Sequence, residues 1–100
     1  MKSIILNLNK QFENRIRLGI MSILVVNDWV DFNALKEMLE VTDGNLASHL
    51  SALEKNEYIE VRKQFVGRKP RTSYRATMVG RSAFKLHIDA LENLIKPNKE

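Results

Sequence analysis

Eight basic side chains lie between Val61 and Ile88: Arg62, Lys63, Arg68, Lys69, Arg71, Arg75, Arg81 and Lys85. No acidic residue interrupts them. The preceding stretch, Asp28 to Glu60, is the reverse, with eight acids against Lys36 and Lys55. Cationic groups at that density suit one kind of chemistry, the replacement of counterions along a phosphate backbone. The net charge of +4 would say little alone; its segregation implies a concentrated positive field at one end of the molecule. Other chemistries find no support. With no cysteine there is no thiolate nucleophile, disulfide or cysteine metal site. His49 and His87 are far apart in the chain and make a poor metal site. No Ser-His-Asp or Cys-His set stands at a recognisable spacing, and no glycine-rich phosphate loop is present. The expectation is a binding protein, not an enzyme, with no cofactor and no metal.

The elements that must position these residues follow from periodicity. One hundred residues, 44% apolar, can build one small core, so residues 1–100 are expected to form a single domain. Asn9 is positioned to cap a first helix carrying Phe12, Ile16, Ile20, Ile23 and Leu24 at helical spacing. Trp29 to Phe32 is β-favouring and suits one short edge strand. Asn33 can cap a second helix, with Leu35, Met38 and Leu39 on one face. Thr42 restarts a helix at once, and Leu46, Leu50 and Leu53 form its buried stripe. Two short helices joined by about three residues are a helix-turn-helix. Tyr58 to Val66 and Thr72 to Ala76 alternate as strands around a Gly67-to-Arg71 turn, which makes a hairpin with a basic tip. Thr77 caps a last helix with Phe84, Ile88, Leu91 and Ile95 at four-three-four spacing, ended by Pro97. The fold class is mainly α with a small β-hairpin, in the order α-(β)-α-α-β-β-α, a winged helix-turn-helix.

Several segments carry a resemblance. They are Arg15 to Leu18, Phe32 to Lys36, Thr42-Asp43-Gly44-Asn45-Leu46-Ala47-Ser48-His49-Leu50, Leu53-Glu54, Tyr58-Ile59, Lys69-Pro70-Arg71-Thr72 and Thr77 to Arg81. Together they look like the small winged-helix transcriptional regulators related to the MarR and ArsR groups, over roughly residues 12 to 95. The resemblance implies a homodimer that binds double-stranded DNA sequence-specifically. One departure stands out. Such proteins usually place a glycine before the strand that follows the recognition helix, whereas Asn56-Glu57 precede Tyr58 in this chain. One of those two must then adopt the left-handed conformation.

On this reading the second helix of the pair, about 43–56, enters the major groove, and Asn45, Ser48, His49 and Ser51 face base edges or phosphates, His49 being equally a candidate for a structural hydrogen bond. Its open face is small and polar where a merely solvated helix would be rich in Glu and Lys. The wing, about 62–75, brings Arg68, Lys69 and Arg71 to the flanking backbone or minor groove, with Lys63, Thr72 and Arg75 on phosphates. Arg15 and Arg17 read as ion-pair partners of Glu13, Asp28 or Asp31. Arg81 calls for an acid or a phosphate, His87 reads as a surface or interface residue, and Trp29 and Phe32 read as core. Residues 77–97 are expected to be a dimerisation helix, with Ile4, Leu6, Phe84, Ile88, Leu91 and Ile95 at the interface. A twofold dimer would bind a pseudo-palindromic operator with half-sites about 10 base pairs apart. The resemblance also allows a small-molecule effector between the first and last helices, with no residues assigned to it. The rival reading is a winged helix that binds RNA or another protein. The apolar N-terminal run is too short for a signal peptide or a membrane span, so a cytoplasmic location is expected.

Overall fold

The structure is a computed structural model that describes residues 3–96. Pro97, expected to stop the last helix, lies outside the described residues, and the helix already ends at Leu94. Among the described residues four α-helices and three strands follow one another as α1 (Arg15–Leu24), β1 (Val30–Asp31), α2 (Phe32–Leu39), α3 (Asp43–Lys55), β2 (Ile59–Val66), β3 (Lys69–Ala76) and α4 (Met78–Leu94). The expected winged helix-turn-helix order holds. Among the described residues no helix is long and apolar enough to cross a membrane.

Two helix starts differ from expectation because a nearer oxygen does the capping. Asn9 caps a 3₁₀ turn, Lys10–Phe12, by accepting from the Gln11 amide. Asn14 caps α1, its side chain accepting from the amides of Ile16 and Arg17. Asn33 lies inside α2, and Asp31 caps that helix by accepting from Ala34 at 2.7 Å. β1 therefore runs straight into α2, with Asp31 serving both. Thr42 and Thr77 cap α3 and α4 as expected. Leucines 35, 46, 50 and 53 meet Ile20, Met21 and Leu24 in one core, closed by Ile59, Tyr74 and Ala76 from the sheet and Phe84 from α4. Burial at about 1.5–3 kcal/mol for each large side chain makes this cluster the main stabilising term.

The sheet is antiparallel in the order β1-β3-β2. β3 begins at Lys69, earlier than the expected Thr72, because Val66 pairs with Lys69 and only Gly67-Arg68 remain as the loop. Gly67 sits at φ +65°, the positive value a two-residue hairpin requires at its first loop position. β1 pairs only with Ser73 and Tyr74, so that flank of β3 is open at Pro70, where a strand proline is tolerated.

The turn after α3 resolves the missing glycine. Glu57 takes the left-handed conformation at φ 61°, and Asn56 does not. Tyr58 N–H donates to Leu53 O at 3.0 Å and Glu57 N–H to Glu54 O at 2.9 Å, the two bonds of a Schellman motif. A side chain in that conformation costs about 1 kcal/mol relative to glycine. Glu57→Gly should therefore raise the urea midpoint, by about 0.5–1 kcal/mol of stability at constant m value. A lowered midpoint would refute this account of the turn.

His87 corrects the expectation of a surface or interface residue. It is 3% exposed, its ring edge-on to Phe12, and its Nδ1 accepts from the Asn9 amide at 2.9 Å. Asn9 also donates from Nδ2 to the Tyr58 hydroxyl. These bonds fasten the chain before α1 to α4 and to the strand entry. Burial pushes the His87 pKa below its ordinary 6.5, with the Glu13 carboxylate opposing. The native state thus holds a neutral ring, and the unfolded chain takes up the proton first. The stability this group contributes is complete above pH 6.5 and is lost as pH falls through the folded value. The urea midpoint should fall on acidification below pH 6.5, and His87→Gln, a neutral acceptor at all pH values, should flatten much of that fall. An unchanged slope in the variant would rule His87 out as the cause.

Candidate nucleic-acid interface

α3 is held from behind by its leucines and leaves its front open. The Thr42 hydroxyl accepts from the Asn45 amide at 3.2 Å, and Asp43 meets Lys36 at 2.8 Å in an exposed pair. Gly44, Asn45, Ala47, Ser48 and Ser51 are exposed. No charged residue lies between Gly44 and Leu53. The side chains of Asn45, Ser48 and Ser51 make no hydrogen bond among the described residues, so their donors and acceptors remain available. A groove between α1 and the helix-turn-helix, lined by Arg15, Leu39, Thr42 and Asn45, ends at the start of α3.

His49 stands at the flank of α3, half-buried, with Nδ1 2.9 Å from Nη1 of Arg17. Arg17 also donates from Nε to Gln11 O at 2.6 Å. The expected ion pairs of Arg15 and Arg17 with Glu13, Asp28 or Asp31 do not form, because Asp28 and Asp31 lie against the wing. Asp28 pairs with Arg75 at 3.6 Å and Asp31 with Arg71 at 3.7 Å. Burial first, and the Arg17 charge second, lower the His49 pKa from 6.5.

The wing divides its charges. Arg75 is bound by Glu60 and Asp28, and Arg71 by Asp31. Lys63, Arg68 and Lys69 are exposed and make no ion pair among the described residues. Thr72, half-buried, pairs across the ladder with Lys63. The free positive charge therefore gathers toward the tip, where Phe65 is also 74% exposed. Trp29, expected in the core, is half-buried and lies beneath two guanidinium groups, Arg62 at 4.2 Å and Arg75 at 4.5 Å from the ring centre. Each such contact contributes about 0.5–1 kcal/mol at an exposed site. Arg62, already within the wing, is thereby held on Trp29 at a fixed height, a contact its place in the sequence did not indicate. Only the strand register, which puts Arg62 opposite Ser73 and Glu60 opposite Arg75, brings it over Trp29.

Arg81, partly exposed, makes no ion pair among the described residues. It donates from Nη1 to Val25 O at 2.7 Å and from Nη2 toward Leu24 O and Asn27 O, both at 3.4 Å. A cation on the carbonyl end of α1 satisfies groups the helix leaves unpaired and favours the dipole. Of the interface candidates, Phe84 is buried in the chain's own core, edge-on to Phe12, where it braces α4 from within. Ile4, Leu6, Ile88 and Ile95 are exposed and Leu91 is half-buried. An open apolar groove lined by Leu18, Val25, Val26, Phe84 and Ile88 runs between α1 and α4.

A helix-turn-helix with an unencumbered second helix, followed by a two-stranded wing with a cationic tip, defines a winged-helix nucleic-acid binder. Residues 16–95 match the winged helix DNA-binding domain family, and the chain belongs to it. An uncharacterised protein of Methanocaldococcus jannaschii is 37% identical over 87 residues, which cover 87% of this chain and 95% of that one. The structure of a transcriptional regulator homologue from Pyrococcus horikoshii superposes with a TM-score of 0.79 at 32% identity, covering 85% and 84% of the two chains. Reduced AbfR, solved bound to DNA, shares the fold with a TM-score of 0.74 at 13% identity, over 89% of this chain and 66% of that one. Family and fold are those of DNA-binding transcriptional regulators, not of enzymes.

Proposed function

We propose that the protein is a homodimeric transcriptional regulator that binds a pseudo-palindromic operator in double-stranded DNA. α3 lies in the major groove and the wing on the flanking backbone or minor groove. The observation that carries this reading is the front of α3, an exposed run of small and hydrogen-bonding side chains, Gly44, Asn45, Ala47, Ser48 and Ser51, without charge or a side-chain partner among the described residues. Such a surface gains little from water alone but matches base edges. Asn45 can bond adenine in two places, Ser48 and Ser51 adjust to either strand, and Gly44 lets the backbone approach closely. Lys63, Arg68 and Lys69 contact phosphates most strongly because no carboxylate competes for them. Arg71, Thr72 and Arg75 add contacts nearer the strands.

The dimer reading rests on α4 and the N-terminal segment. Ile4 is 77% and Ile95 84% exposed, and with Leu6, Ile88 and Leu91 they extend the apolar surface that the chain leaves uncovered. The radius of gyration is 15.5 Å and the long axis 62 Å. A compact chain of this length has a radius near 13 Å. The elongated shape fits ends that close on a second copy. The α1–α4 groove would border that interface and is the place a small apolar effector would enter.

Fluorescence anisotropy on random duplex and on the DNA upstream of the protein's own gene, titrated across salt, tests the proposal. Tighter binding to one sequence with a steep salt slope is expected, at a stoichiometry of two chains per site. Asn45→Ala or Ser48→Ala should then relax sequence preference, each by about 1–3 kcal/mol of discrimination if a base contact is lost. Lys69→Ala should weaken all sequences alike and lower the slope by about 1. Weak binding with no preference among many duplexes would instead leave an RNA- or protein-binding winged helix.

A further inference from the structure

Arg17 and His49 are separated by 32 positions in the chain and meet at 2.9 Å beside the recognition helix. A guanidinium group carries only donors. The His49 Nδ1 facing it must therefore be the unprotonated, accepting nitrogen, and the ring proton must sit on Nε2. Arg17 is itself fixed, since its Nε bonds Gln11 O at 2.6 Å and its backbone lies in the first turn of α1 under the Asn14 cap. The His49 Nε2 makes no hydrogen bond among the described residues. It is not sealed from solvent either, because among the described residues no partially buried side chain leaves a polar atom both inaccessible and unpaired.

We propose that Arg17 is a positioning residue for DNA recognition. It locks His49 as the neutral Nε2–H tautomer, so that α3 presents one oriented donor to an acceptor on DNA, a purine N7 or O6 or a phosphate oxygen. This deepens the regulator reading and rests on it. A free histidine offers a mixture of two tautomers and, near pH 6.5, a cation. A locked neutral ring offers one donor of fixed direction and keeps the front of α3 free of charge. Partial burial first, and the neighbouring cation second, disfavour a second proton on the ring. His49 thereby joins Asn45 and Ser48 as a neutral reader, whereas the wing supplies the charge.

The test has two parts. Ring ¹⁵N spectra of the full chain at neutral pH, with His49 identified by the signals lost in His49→Gln, should report Nδ1 unprotonated and Nε2 protonated. Arg17→Met should convert this to a mixture, and Arg17→Lys, again a donor only, should restore it. A mixed tautomer in the wild type would overturn the proposal while leaving the regulator reading intact. In the second part, anisotropy is measured on the sequence the wild type prefers and on random duplex. Arg17→Met and His49→Ala should each reduce discrimination about tenfold, and the double variant no further. His49→Gln, whose amide N–H₂ can stand in for Nε2–H, should retain most of it. Full discrimination in Arg17→Met would overturn the positioning role. A wild type without any sequence preference would overturn the regulator reading and that role together, the tautomer being decided separately.

Discussion

Gly80→Ala is expected to destabilise the protein by at least about 3 kcal/mol and to lower its melting temperature by at least about 12 °C. A β-carbon at position 80 would stand 2.0 Å from Tyr58 O, 2.8 Å from its carbonyl carbon and 2.9 Å from its α-carbon. All three are backbone atoms, so no side chain can swing aside. The segment cannot retreat cheaply. Tyr58 O accepts from the Thr77 amide at 3.0 Å, and the Thr77 hydroxyl donates to Glu57 O at 2.7 Å. Tyr58 N–H also closes the Schellman turn after α3. Shifting either partner would thus loosen the end of the recognition helix, the entry of β2 and the start of α4 together. A domain of this size has roughly 5–15 kcal/mol to lose, so the variant should be marginal or unfolded in a thermal melt. Gly44→Ala is the matched control, because no heavy atom lies within 4 Å of the added carbon. It should gain about 0.5–1 kcal/mol from helix propensity and reduced unfolded-state freedom. A Gly80→Ala melt within a few degrees of wild type would refute this view of the α4 packing.

That contact was invisible in the sequence, and the reason is general to what the chain revealed and concealed. Local periodicity made the elements legible. Leu46, Leu50 and Leu53 fall on one face whatever they pack against, and Thr42 and Thr77 cap because each has free amides just ahead of it. The order of those elements, with a hairpin after a helix-turn-helix, left few alternatives to a winged helix. Even the unusual turn was partly legible, since the absence of glycine forced a choice between Asn56 and Glu57. The errors came where two oxygens compete nearby or where partners are distant in the chain. Asn9 and Asn14 both precede helical residues, and Asp31 lies two positions before Asn33; backbone geometry decides between them. His87 shares a helical face with Phe84 and Leu91 yet reads as a surface or interface residue, because the Asn9 amide that satisfies its buried ring comes from the other end of the chain.

The cations show the same limit. Composition revealed that the wing is basic but not which charges are spent within the chain. Asp28, Asp31 and Glu60 belong to an acidic stretch in sequence, and antiparallel pairing brings them against the basic one. Arg71 and Arg75 are consequently tied to carboxylates, Arg62 is laid on Trp29, and Arg81 is committed to the carbonyls ending α1. The open face of α3 was legible because it needed only helical spacing. The Arg17–His49 contact was not, because nothing local links α1 to α3.

That partition sets the second large expectation. Arg68→Glu with Lys69→Glu should lower affinity for every duplex by about 100-fold or more near physiological salt, and should flatten the logarithmic salt slope by about 2. Both residues are exposed and make no ion pair among the described residues; Arg68 lies in the two-residue loop of the hairpin and Lys69 borders it. Each reversal removes a phosphate contact with its released counterion and sets a like charge against the backbone. Folding should be almost untouched, within about 0.5 kcal/mol, because neither side chain supports the core. Arg75→Glu is expected to behave differently. It breaks the contacts with Glu60, Asp28 and Trp29, so a loss of stability should accompany any loss of binding. Sequence discrimination should survive the wing reversal, since random and preferred duplexes weaken together and the readers on α3 are intact. If random-duplex affinity instead held steady in the double variant, the free cations of the tip would face some other partner. The wing would then have to be removed from the DNA interface altogether.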